Sequence, residues 1–117
     1  MTFTIAIVII LLFLLTAILG ITLISYVLLN KNTPKGLAII HAGFAATALV
    51  LLIIYAFFRA PTPIESIVLF VIAALLGFIL FYKDLTKRKP PKVLAIIHGC
   101  TAILGFVFLL ANVFFNF

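Results

Sequence analysis

From Met1 to Asn30 the chain carries no charged side chain. This run, rich in Ile and Leu, exceeds the roughly 20 apolar residues that a helix needs to cross the hydrocarbon core of a bilayer. Three further apolar stretches follow, and the ten charged side chains fall between them or at their ends. At 117 residues and 68% hydrophobic, the chain is too apolar for a soluble globular domain and too short to hold a separate catalytic one. The expected fold class is all-α: an integral-membrane four-helix bundle, one transmembrane domain over 1–117, with spans at about 3–29, 36–58, 64–82 and 92–115. A signal peptide would show a positive n-region and a shorter apolar core, so the first stretch reads as a retained span.

The connecting segments are short. Asn30-Lys31-Asn32-Thr33-Pro34 is a polar loop, and its proline is placed to open the second span. Ala60-Pro61-Thr62-Pro63 is a turn, since two prolines leave little scope for continuous helix. Lys83 to Pro91 is a strongly basic loop. Tyr26, Tyr55 and Tyr82 fall near span ends, where belt anchoring accounts for them.

The net charge of +6 invites a nucleic-acid reading, which the positions of the cations exclude. Lys31 and Lys35 flank the first loop, Lys83, Lys87, Arg88, Lys89 and Lys92 the third, and Arg59 stands alone on the other side. This asymmetry is a topology signal. By the positive-inside rule, loops one and three are cytoplasmic and both termini lie outside, which suits a bacterial inner membrane.

The chain also repeats itself. Pro34-Lys35-Gly36-Leu37-Ala38-Ile39-Ile40-His41 returns as Pro91-Lys92-Val93-Leu94-Ala95-Ile96-Ile97-His98, with seven of eight positions identical at an offset of 57. At the same offset Leu19-Gly20 matches Leu76-Gly77, Ala45 matches Ala102 and Phe57-Phe58 matches Phe114-Phe115. The halves, about 1–60 and 61–117, therefore read as tandem copies of a helical hairpin. An even number of spans per copy gives both the same orientation and puts the pseudo-twofold axis along the membrane normal, with spans two and four parallel.

The repeat places the only two histidines, His41 and His98, at one depth, about 9 Å inside the loop end at 1.5 Å per residue. Ala38, Ala45 and Ala48 share a helix face with His41; Ala95, Ala102 and Gly105 share one with His98. Gly20 and Gly77 stand at a comparable level on the other spans. Two imidazoles between small-residue patches suit a flat macrocycle, a single haem b with His41 and His98 as axial iron ligands. Its propionates would face the loop end, near Lys35, Lys92 or the Lys87-Arg88-Lys89 run.

On His41, His98, Gly20 and Gly77 the chain resembles the membrane-embedded b-type cytochromes of respiratory chains. The resemblance implies electron transfer rather than stand-alone enzymatic activity. It also implies a lipid bilayer as surroundings, quinone as a candidate redox partner, and other membrane subunits or a second copy as candidate neighbours. The outer half holds no histidine, so one haem per chain is expected.

Other readings stay open at this point. The histidines can serve as hydrogen-bond partners between spans, in which case the chain is a structural or assembly subunit, or they can hold a metal ion or other ligand. Two histidines alone are an incomplete zinc site. Small drug exporters share the size and span count, but they carry a glutamate in the first span, and residues 1–30 hold none. No nucleophile–base pair, phosphate loop or carboxylate dyad is present, and Cys100 reads as packing.

Overall fold

The computed structural model describes residues 2–87 and 89–117, with Lys87 described by its backbone alone. Four α-helices follow one another: α1 Thr2–Leu28, α2 Lys35–Ala56, α3 Ile64–Lys87 and α4 Lys92–Phe115. At 1.5 Å per residue the shortest, with 22 residues, reaches about 33 Å and clears a hydrocarbon core of about 30 Å.

The helix ends follow from local chemistry. α1 stops where Asn30 adopts a left-handed conformation, φ 57°. Its N–H then donates to Val27 O, and the Lys31 N–H donates to Tyr26 O at 2.9 Å, the two bonds of a Schellman cap. Pro34 and Pro91 are N-caps rather than first helical residues, and their carbonyls accept from the Ala38 and Ala95 N–H groups. The repeated phrase thus starts α2 and α4 identically. α3 runs five residues beyond the expected apolar span, through Lys83 to Lys87. Asp84 turns inward there, and its pairing holds the last turns on the bundle although the sequence has become polar.

The helices form a square. α1 packs on α2 and α3 on α4; α1 also meets α4 and α2 meets α3, while across either diagonal no Cα atoms of the described residues come within 8 Å. The bundle measures 43 × 22 × 18 Å. Its core obeys the offset of 57: Ile9 and Ser66, Phe13 and Phe70, Thr16 and Ala73, Ala48 and Gly105, Leu52 and Leu109, and Tyr55 and Asn112 are all buried. The paired burial therefore follows the repeat N-terminally of the Leu19–Leu76 match, to at least Ile9.

The outer surface is as apolar as the core. Ile21, Phe58, Leu75, Phe78, Ile103 and Phe115 are all exposed. In water such a surface would drive association; in lipid it is the ordinary outside of a bundle whose backbone bonds are satisfied within each helix. All four helices are long and apolar enough to span a membrane. One expectation fails at the end away from loops one and three. Tyr55 does not anchor in an aromatic belt, because it is 3% exposed and belongs to the core cluster with Leu52 and Leu109.

Candidate functional site at the histidine pair

His41 stands in the second turn of α2 and reaches across to α1, where its Nδ1 lies 2.9 Å from the Thr16 carbonyl oxygen. His98 repeats this from α4 to α3, with Nδ1 2.7 Å from the Ala73 carbonyl oxygen. A carbonyl can only accept, so Nδ1 is the protonated nitrogen in each ring, and in the neutral tautomer Nε2 keeps a lone pair.

A helical carbonyl is normally screened by the side chain one turn on. Here the residues four positions after Thr16 and Ala73 are Gly20 and Gly77. A Cβ at Gly20 would stand 3.0 Å from His41 Cε1, and one at Gly77 would stand 3.1 Å from His98 Cε1. The glycines are notches that admit the imidazoles to the backbone. Their smooth faces, expected to receive a macrocycle, are occupied by the rings themselves.

Across the α2–α4 diagonal the two rings meet edge to face, with centroids 6.2 Å apart and planes at 74°. Two imidazoles sharing one metal ion need about 2 Å for each bond and about 1 Å from each nitrogen to its ring centre, or about 6 Å in all. Each ring can rotate about its own metal–nitrogen bond, so the mutual tilt is no obstacle. The ring separation and the backbone acceptor behind each ring are those of two histidines able to share one metal, the second nitrogen of a ligating histidine being commonly held by a carbonyl. No group of three or more His, Cys, Asp or Glu capable of holding a metal exists among the described residues. A bare ion would therefore lack donors, whereas a metal carried in a macrocycle brings its own.

The remaining expected residues divide by depth. Ala38, Ala45 and Ala102 are half-buried around the rings, and Ala95 is buried. Farther along the same faces the surface is filled: Ala48 is fully buried, and a Cβ at Gly105 would meet Leu69 and Phe70 at 3.3 Å. Lys35 is engaged, its Nζ 2.8 Å from Asp84 Oδ2 and 3.1 Å from Thr33 Oγ1. Lys92 has no acidic partner among the described residues. Arg88 and the side chain of Lys87, also expected near the loop end, lie outside the described residues.

Several contributors escape a reading of the sequence. Thr16 and Ala73 act through carbonyls, which leave no mark on residue type. Phe13 and Phe70 close the α1–α3 diagonal about one turn from those carbonyls, with ring centroids 3.9 Å apart; their match at the offset of 57 is the signal that could have found them. The ion pair of Lys35 with Asp84 had no sequence signal.

Compared with known proteins, the chain matches no family model, no curated protein and no solved structure. Fold and site alone define its class, an all-α membrane-spanning four-helix bundle with a symmetric pair of backbone-anchored histidines on one diagonal.

Proposed function

We propose that this protein is a small b-type cytochrome that holds one haem between His41 and His98 and passes electrons within the membrane. The observation that carries the reading is the symmetric anchoring of both rings. Each Nδ1–H is spent on a helical carbonyl, and the ring centres are 6.2 Å apart, the spacing of two ligands on one metal. When bound, haem supplies a one-electron couple whose potential depends on its axial ligands and on the dryness of its surroundings. The chain's own part is to hold both rings in one tautomer, to keep water out with an apolar bundle, and to offer Lys92 to a propionate at the loop end. Quinone or a neighbouring subunit of a respiratory assembly would exchange the electron. The positive-inside rule puts this end on the cytoplasmic face of a bacterial inner membrane.

The test is optical. Protein purified from haem-replete cells is expected to be red and to give the reduced-minus-oxidised difference spectrum of low-spin haem b, and His41→Ala or His98→Ala should abolish it. A colourless preparation would sink the proposal.

One observation favours a second reading, a haem-free structural subunit. The same Nδ1–H···O=C bonds, seated in glycine notches, would serve as interhelical glue. The histidine variants would then loosen the bundle with no spectrum to lose.

A further inference from the structure

The net charge of the protein resides at one end. Loops one and three and the adjoining helix ends hold Lys31, Lys35, Lys83, Lys87, Arg88, Lys89 and Lys92 against Asp84 alone, while the opposite end balances Arg59 against Glu65. Asp84 is committed to Lys35 and Thr33. Lys31 is therefore left without an acidic partner among the described residues. The Schellman cap folds Lys31 back over the end of α1, its N–H bound to Tyr26 O. There it lines a cleft of about 140 Å³ with Ser25, Tyr26 and Leu29. A single water needs only about 10–15 Å³ of such space, so the cleft admits a group the size of one phosphate.

The composition of the cleft identifies the occupant. Lys31, Tyr26 and Ser25, whose hydroxyl donates to Ile21 O at 2.8 Å and so leaves Lys31 as the cation for an anion, line it at the end of a membrane-length apolar helix, the level at which tyrosine meets lipid headgroups. Leu28 and Leu29 beside it are exposed, a surface for the first carbons of acyl chains. We propose that the Ser25–Tyr26–Leu29–Lys31 cleft binds the phosphate of an anionic phospholipid, with the surrounding cations raising the local concentration of such lipids. A soluble phosphate would satisfy Lys31 but would leave the apolar wall of the cleft unused.

The site is testable on the full chain in non-ionic detergent by native mass spectrometry, offering phosphatidylglycerol and phosphatidylcholine with the same acyl chains. The expected result is selective retention of phosphatidylglycerol. Lys31→Gln should reduce that selectivity about fivefold, the effect of one cation at an anionic surface, and Lys31→Arg should keep it. Lys89→Gln, at the same end but outside the cleft, should change it far less. Lys31 is solvent-exposed, so both of its variants should fold as the parent does. Equal losses from Lys31→Gln and Lys89→Gln, or no loss from Lys31→Gln, would overturn the site in favour of diffuse surface charge. Displacement of the lipid by millimolar inorganic phosphate would overturn the lipid as its occupant.

Discussion

Phe13 and Phe70 stand 57 residues apart in the sequence and stack face to face in the bundle, with centroids 3.9 Å apart and planes 5° from parallel. They are equivalent positions of the duplicated hairpin, so each ring meets its own copy. Two other equivalent pairs also touch: His41 with His98 near the end formed by loops one and three, and Arg59 with Asn116 at the opposite end, where Arg59 Nη2 donates to Asn116 Oδ1 at 2.9 Å. Residues meet their own copies only near a twofold axis. Three such meetings, at both ends and between, trace that axis along the length of the bundle.

Truncating either phenylalanine should open a void at the centre of the bundle. Phe→Ala costs about 3–5 kcal/mol in soluble cores, and about 2–3 kcal/mol is expected here, because helices that separate within lipid expose no apolar surface to water. Phe13→Ala and Phe70→Ala remove the same stack, so the double variant should cost less than the sum of the two. Unfolding by denaturing detergent, followed by circular dichroism, measures all three. Strict additivity would mean that the rings do not act as a pair.

The glycines divide sharply. Gly20→Ala and Gly77→Ala each place a methyl about 3 Å from an imidazole that is tied to its own helix and to a carbonyl, so the ring cannot retreat without losing its hydrogen bond. Each is expected to destabilise the bundle by about 1 kcal/mol, the net worth of such a bond. Gly43→Ala and Gly99→Ala meet nothing within 4 Å and should gain up to about 1 kcal/mol from helix propensity. Thermal melts of the four variants in one detergent separate the two classes. On the haem reading only the first two should also move the optical spectrum.

These contrasts show what residue types can and cannot convey. The spans are legible because lipid demands long apolar helices, and the duplication is legible because Pro34-Lys35 and Pro91-Lys92 open matching phrases. The equal depth of His41 and His98 follows from the repeat. The partners of the rings do not, since Thr16 and Ala73 contribute only carbonyls, which every residue possesses. Nor does the use of Gly20: a glycine looks the same whether it clears a path for a cofactor or for a neighbouring ring. Tyr55 reads as a belt residue by its place near a span end, yet the bundle closes over it and it becomes core.

At the end away from the histidines, Asn112 ties three segments together. It is 2% exposed; its Nδ2 donates to the Pro61 and Phe117 carbonyls at 2.8 and 3.1 Å, and its Oδ1 accepts from Arg59 Nε at 3.3 Å. Asn112→Leu removes both of these donors and the acceptor that Arg59 Nε uses, and a loss of about 2 kcal/mol is expected. Arg59→Lys should also weaken this end, because an ammonium cannot reproduce a guanidinium that reaches Asn112 through both Nε and Nη2. Detergent denaturation of both variants checks the point, and a neutral Asn112→Leu would refute it.

The Lys35–Asp84 pair makes an asymmetric prediction. The Asp84 side chain is 5% exposed and that of Lys35 is 38% exposed, so only the lysine retains ready access to water. Removing the carboxylate in Asp84→Leu leaves a lysine that can turn outward, and replacing buried ionic groups by apolar ones is often close to neutral. Removing the cation in Lys35→Met leaves a buried carboxylate with Thr33 as its remaining hydrogen-bond donor in the cluster, and about 3 kcal/mol should be lost. Combining the two substitutions should recover most of that loss, since the stranded charge disappears with Asp84. Unfolding midpoints of the single and double variants decide the matter. A Lys35→Met no worse than Asp84→Leu would show that the carboxylate does not depend on its partner.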